Sequence, residues 1–259
     1  MDNFSRNLLT NFNNSGYSII SVLNPSKVLH FKKKITRKLK ELSKKNSLHS
    51  KFKKFSKIEN YHKLPLTDLE HNKLMKSYHR NIKLSKKESN FFVNKYFDTL
   101  FEYFYGNEAP QIKFGLSKKF KLNLFGFRIV RPKEKAVAGY HTESTNGVHC
   151  FTLWIPLTGT SPKYTLKILP KSHLYRHKNQ NILRNKKFLK AQLFKKNYVK
   201  KFGNFKRPNM KLGQGIFFHP DLIHGDSKNL GSKTRVSMEL KFIRKDIKNR
   251  IIRSREIIR

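Results

Sequence analysis

Apolar positions along the first third of the chain recur at helical spacing. Val28, Phe31, Ile35, Leu39 and Leu42 make one stripe, which predicts an amphipathic helix packed against the rest of the fold. Asn24 is a suitable N-cap for it, with Pro25 at the first helical position. Tyr17 to Leu23, just before, predicts a strand. The stretch from Asn46 to Leu66 reads as basic and irregular. Thr67-Asp68-Leu69-Glu70 and Ser85-Lys86-Lys87-Glu88 both match the capping box. The second predicts a helix with Phe92, Tyr96, Leu100 and Phe104 on one face, ending near Gly106, and these aromatics read as core.

From Ile112 onward the pattern changes to strands. Lys121–Arg131, Ala138–Glu143, Val148–Leu157, Tyr164–Leu169, Lys211–Phe218 and Thr234–Ile243 are the predicted strands, with a turn around Pro132–Lys135. A lysine-rich insertion at about 174–207 reads as partly helical and suits a lid. Residues 244–259 form a basic tail. One domain over 1–259 is expected, with helical support in 1–110 and barrel strands in 111–243.

Composition narrows the class. The chain is 37% hydrophobic with 22 Phe, enough for a buried core. A single cysteine, Cys150, excludes an intramolecular disulfide and fits a reducing compartment. It reads as a small buried strand residue rather than a reactive thiol. Met1–Asn14 is polar and lacks the apolar centre of a signal peptide, and no uncharged apolar run approaches the roughly 18 residues of a membrane span. A soluble, cytoplasmic protein is expected. There is no Walker loop, cysteine-rich zinc pattern or internal repeat.

The net charge of +41 changes the range of partners. Lysine and arginine gain affinity for polyanions by releasing counterions. The basic residues are spread over Lys32–Lys34, Lys51–Lys57, Lys186–Lys201 and Arg244–Arg259 and form no compact arm. Abundant Lys, Asn, Ile and Phe is also what an A/T-rich genome produces, though that does not account for the scarcity of acids. Solvated charge is favoured over a polyanionic partner. Phosphorylated sugars, CoA thioesters, acidic carrier proteins, nucleic acid and anionic lipid all remain compatible.

Candidate chemistry lies in His-x-acid pairs. Random placement of 11 His and 16 acidic residues yields about 0.7 such pairs, so the motif alone decides little. Three occur: His141/Glu143, His219/Asp221 and His224/Asp226. Residues i and i+2 of a strand face the same side, so His141 and Glu143 can reach one metal. Pro220 interrupts the second pair as a strand. Only the first pair has a well-separated downstream histidine, His224, to complete a site. Two imidazoles and one carboxylate suit Fe(II) and leave coordination positions open. Arg235, eleven residues after His224, can grip a carboxylate-bearing co-substrate. Ser237, two residues on, shares its strand face and can add a hydroxyl.

These residues occur in a familiar order. His141-Thr142-Glu143, Leu153-Trp154-Ile155-Pro156-Leu157, Ile168-Leu169-Pro170-Lys171-Ser172-His173, His224-Gly225 with Asn229, and Thr234-Arg235-Val236-Ser237 follow one another as in the phytanoyl-CoA dioxygenase-like superfamily. Gly16-Tyr17-Ser18-Ile19-Ile20 leading to Leu23-Asn24-Pro25 resembles that family's N-terminal strand and first helix. The resemblance spans about Gly16 to Ile243. It departs at Glu143, where the family usually has Asp, and at Lys171, where it usually has Gly.

The resemblance implies an α+β fold: a double-stranded β-helix, or jelly-roll (cupin-like) barrel, with supporting N-terminal helices. It implies an Fe(II)- and 2-oxoglutarate-dependent dioxygenase with His141, Glu143 and His224 as ligands. Arg235 would bind the distal carboxylate of 2-oxoglutarate, and molecular oxygen would be the second co-substrate. The carboxylate ligand argues against a halogenase, because halide needs that position. Trp154 reads equally as a wall of the co-substrate pocket or as core. His173 reads as the anchor of a turn, His219 as structural, and Asp226 and Asn229 as turn-shaping. The expected reaction is hydroxylation of a small-molecule substrate, with anionic or carrier-bound substrates compatible with the charge and nonspecific polyanion binding an accompaniment. A nucleic-acid- or macromolecule-directed oxygenase or binding protein is the alternative, and a barrel that has lost catalysis a third.

Overall fold

The computed structural model describes residues 3–81, 84–92, 116–117, 122–123, 125–134, 139–143, 151–175, 182–183, 192–194, 196–225 and 227–242. The remainder of the predicted helix beyond Phe92, the residues His149, Cys150 and Asp226, most of 176–191 and the basic tail lie outside them.

Helices and antiparallel sheet are mixed. The N-terminal part holds α1 (Asn3–Ser15), β1 (Tyr17–Ser21), α2 (Pro25–Lys45), the short α3 (His49–Phe52), a 3-10 segment (Ile58–Lys63), α4 (Asp68–Asn81) and α5 (Lys86–Ser89). The predicted stripe on α2 is buried in full. Its start also follows the prediction, since the Asn24 side chain accepts from the Lys27 amide. Both capping boxes form reciprocally: Thr67 and Glu70 exchange amide-to-side-chain bonds, as do Ser85 and Glu88.

The strands that follow are β2 (Leu116–Ser117), β3 (Leu122–Asn123), β4 (Phe125–Val130), β5 (His141–Thr142), β6 (Phe151–Thr158), β7 (Ile182–Leu183), β8 (Gln192–Phe194), β9 (Gln214–Phe218) and β10 (Arg235–Phe242), with α6 (Lys196–Val199) between β8 and β9. Four of them join β1 in one sheet of order β1-β9-β6-β10-β4, antiparallel throughout. A second sheet, β5-β8-β7, takes β7 and β8 from the basic insertion.

Alternation along β10 divides the molecule into two layers. Val236, Met238, Leu240 and Phe242 join Phe127, Leu153, Ile155 and the buried face of α2 in the main core. Burying each such side chain stabilises the fold by about 1.5–3 kcal/mol. The opposite face of the sheet carries Trp154, Ile216 and Phe218, which cluster with Leu166, Ile168, Met210 and Leu222. This inner face, between the two sheets, holds the candidate site.

The segment Tyr164–Leu169 departs from its prediction as a strand. Only Ile168 bridges, to Lys206 and His224. The Tyr164 and Thr165 carbonyls accept from the Arg235 and Arg207 guanidiniums, so they are not available to a neighbouring strand. The turn at Lys171 keeps a left-handed conformation (φ 66°) although lysine stands there, at a cost of roughly 1–2 kcal/mol. No helix among the described residues is long and apolar enough to cross a membrane.

Candidate metal centre

His141 and His224 form a backbone pair that sets the centre. Each amide donates to the other's carbonyl, at 2.9 and 3.0 Å. The two imidazoles therefore emerge side by side, with ring centroids 4.2 Å apart. Gly225 makes this approach possible. Its φ is +112°, and a Cβ there would lie 2.3 Å from the Gly139 carbonyl oxygen and 2.8 Å from His141 Nδ1. Glu143, two residues after His141, is placed by its amide, which donates to the Pro220 carbonyl at 2.8 Å.

The tautomers follow from these neighbours. A carbonyl can only accept, so His141 Nδ1 donates to Gly139 (2.8 Å) and His224 Nδ1 donates to Leu222 (2.9 Å). Each Nε2 is left with its lone pair. Glu143 Oε1 lies 3.4 Å from His224 Nε2, and donor atoms of the three residues lie within 4.8 Å of one another. Burial, with the neighbouring His224, pushes the His141 imidazole down to about 3, so it is neutral at physiological pH and able to ligate. Burial alone would raise the Glu143 carboxyl, but the Lys241 ammonium against it leads the groups that hold it well below the carboxylate range. Backbone-oriented imidazoles and a buried anion form a donor set suited to a divalent metal.

Arg235 and Ser237 share a strand face with each other and lie on the inner layer. The Arg235 guanidinium donates through Nη1 to Ser227 (3.0 Å) and Tyr164 (3.3 Å). Its Nε and the Ser237 hydroxyl are both buried without a hydrogen-bond partner among the described residues. Orphaned buried donors are costly unless a ligand meets them. Burial and the charges of Arg207 and Arg128 push the Arg235 guanidinium down to about 10, so an anion here relieves cationic crowding.

The other candidates separate. Arg131 pairs with Asp68 at 2.6 Å and with Glu134, next to the helices, and Arg128 pairs with Glu239 at 2.7 Å. His219 packs among Phe12, Phe151 and His173 and does not belong to the metal-competent group. His173 Nε2 donates to the Asn13 carbonyl, tying the turn to α1. Asn229 spans its turn by donating to Val130 and Lys233. Trp154 is buried in the inner cluster, across from Glu239 in the register and not across from Arg235. Two inner-face residues, Glu239 and Lys241, were not anticipated. Their signal was present in the sequence as the polar alternation Arg235-x-Ser237-x-Glu239-x-Lys241 along an otherwise apolar strand.

No family model matches the chain, and no curated protein matches it by sequence. Solved structures do match. EctD from S. alaskensis with 2-oxoglutarate and 5-hydroxyectoine superposes with a TM-score of 0.58 at 14% identity, over 94% of this chain and 76% of that one. The non-heme alpha ketoglutarate dependent carbocyclase SnoK from nogalamycin biosynthesis gives 0.55 at 14%, over 93% and 85%. AviO1 from Streptomyces viridochromogenes Tue57 gives 0.52 at 12%, over 93% and 96%. At these identities the likeness establishes a shared fold. The fold is thus one that non-heme, alpha-ketoglutarate-dependent enzymes use.

Proposed function

We propose that this chain is an Fe(II)- and 2-oxoglutarate-dependent dioxygenase on a double-stranded β-helix, acting as one domain and hydroxylating a small-molecule substrate. The observation that carries the proposal is the convergence of His141, Glu143 and His224 donors within 4.8 Å. It is joined on the same inner layer by the unpartnered Arg235 Nε and Ser237 Oγ. The metal residues and the anion residues are those expected from the resemblance to phytanoyl-CoA dioxygenase-like proteins. The fold shared with EctD, solved with 2-oxoglutarate and a hydroxylated product, supports the same reading. SnoK, a carbocyclase, shows that the fold also serves other outcomes, so hydroxylation rests on product identity.

His141, Glu143 and His224 would hold Fe(II), which together with 2-oxoglutarate and oxygen supplies the oxidising equivalent while the oxo-acid becomes succinate and carbon dioxide. The chain's own residues do the rest. The Gly139 and Leu222 carbonyls fix the imidazole tautomers. Arg235 and Ser237 grip the distal carboxylate and set the direction in which the oxo-acid enters. Phe218, with its ring 4.6 Å from that of His224, and Trp154 make the wall apolar and exclude water.

The test is aerobic turnover with Fe(II), 2-oxoglutarate and a panel of small candidate substrates, anionic ones included, scored by succinate and by product mass. Gain of one oxygen by a substrate, lost in the His224→Ala protein, is expected. The same turnover persisting in His224→Ala would overturn the site assignment. A desaturated or cyclised product would keep the class and correct the outcome.

A further inference from the structure

The inner face of β10 reads Arg235, Ser237, Glu239, Lys241. The first two residues suit an oxo-acid carboxylate. The last two have no part in holding either metal or co-substrate. Yet Lys241 Nζ donates to Glu143 Oε2, while Glu143 Oε1 is the oxygen that lies 3.4 Å from His224 Nε2. The two oxygens of one carboxylate are thus divided between an ammonium and the metal-competent cluster. Both partners are largely buried, with side chains 18% and 9% exposed, so the ion pair is weakly screened.

Building on the metal-centre reading above, we infer that Lys241 is a positioning residue that makes Glu143 a one-oxygen ligand. Glutamate has one more rotatable bond than aspartate and reaches further. Carboxylates ligate through one oxygen or through both. A Glu143 free to offer both would occupy a position that the co-substrate needs. Lys241 keeps Oε2 engaged and leaves Oε1 for the metal. Glu239 completes the arrangement: its carboxylate accepts from Arg128 Nε at 2.7 Å and feels the charges of Lys241 and Glu143. The charges alternate from Arg128 through Glu239 and Lys241 to Glu143. β10 therefore carries the co-substrate grip at one end and the alignment of the metal's carboxylate at the other.

The inference predicts opposed effects on two affinities. Removing an ammonium beside a metal ligand takes away a cation that repels the metal, while releasing Oε2 closes off the co-substrate. The experiment titrates wild type, Lys241→Met, Lys241→Gln and Lys241→Arg anaerobically with Co(II), followed by its visible absorption, and then titrates each Co(II) protein with 2-oxoglutarate. Lys241→Met should bind Co(II) at least as tightly as wild type, with a changed spectrum, and bind 2-oxoglutarate about 10- to 100-fold more weakly, the range typical of groups that orient metal ligands. Lys241→Gln should show the same opposed shift to a smaller degree, and serves as the comparison should the Met protein not fold. Lys241→Arg should stay close to wild type. Superimposable 2-oxoglutarate titrations for Lys241→Met or Lys241→Gln and wild type would overturn the inference. So would parallel loss of both affinities together with a lowered Tm, the pattern of a merely structural lysine. Failure of wild type to bind Co(II), or unchanged binding in Glu143→Ala, would overturn the metal-centre reading itself, and this inference with it.

Discussion

Arg235 is buried close to other cations with its Nε unpartnered, so an anionic ligand gains more from it than from a solvated arginine. Arg235→Ala should weaken 2-oxoglutarate binding about 10- to 100-fold, or about 1.4–3 kcal/mol, and leave Co(II) binding nearly intact. Arg235→Lys should rescue only in part, because an ammonium lacks the planar fork. Equal co-substrate titrations for wild type and Arg235→Ala would show that another group binds the carboxylate, with Arg128 next in position. Gly225 gives a second prediction at this scale. Gly225→Ala puts a Cβ against His141 and the Gly139 carbonyl at a φ that costs roughly 1–3 kcal/mol in a non-glycine residue. Its Co(II) affinity should fall by about 10-fold or more while circular dichroism stays native. Unaltered affinity would mean that the His141–His224 pairing tolerates displacement. The convergence of His141, Glu143 and His224 and the shared face of Arg235 and Ser237 were legible because i, i+2 spacing fixes strand faces. Lys241 and Glu239 continue that polar alternation, but a lysine at a strand's end has an ordinary solvated explanation. Only the fold places it across from Glu143.

Between elements, Glu88 makes the most demanding connection. One side chain closes the capping box of α5 through the Ser85 amide and takes Lys34 and His30 of α2. Burial would raise its carboxyl, but the Lys34 and Ser85 hydrogen bonds outweigh that and hold it down at about 2, against an ordinary 4.5. A carboxyl depressed in the folded state contributes stability that is full above its unfolded value and is lost as the pH falls through the folded one. The Tm of wild type should therefore drop more steeply from pH 4.5 toward 2 than that of Glu88→Gln, which has no charge to lose there. Parallel Tm–pH curves would contradict this role. Capping boxes and the α2 stripe are local signals, and the sequence carried them in full. Helix α1 was not anticipated: among its described side chains Leu8, Leu9 and Phe12 are buried, a short apolar stripe in an otherwise polar segment. Packing on β1 completes what propensity does not. Between α2 and α4, Phe52, Phe55, Ile58 and Tyr61 recur every three residues, a spacing that suits the short helix and 3-10 segment found there better than a continuous α-helix.

Across the whole molecule, most acids among the described residues are engaged in ion pairs. Glu41, Glu59, Asp68, Glu70, Glu88, Glu134, Glu143 and Glu239 each have a cation within 4 Å. The surplus that makes up +41 is left to repel itself. Added salt should accordingly raise the Tm over the range in which the Debye length falls from about 30 to about 8 Å, and a Tm that falls with salt would show that ion pairs outweigh repulsion. Random RNA should bind at low salt and release near physiological ionic strength. Retention there, with sequence preference, would favour a macromolecular substrate over a small one. In the proposed arrangement His141, Glu143 and His224 hold a metal, and Arg235 holds the distal carboxylate of the 2-oxoglutarate bound there. It is tested most directly by anaerobic titration of the protein with Fe(II) and 2-oxoglutarate, followed by the visible charge-transfer absorption of their complex. The expected band saturates at equimolar iron, is absent in His224→Ala, and needs far more 2-oxoglutarate in Arg235→Ala. No band in wild type, or an undiminished band in His224→Ala, would contradict it.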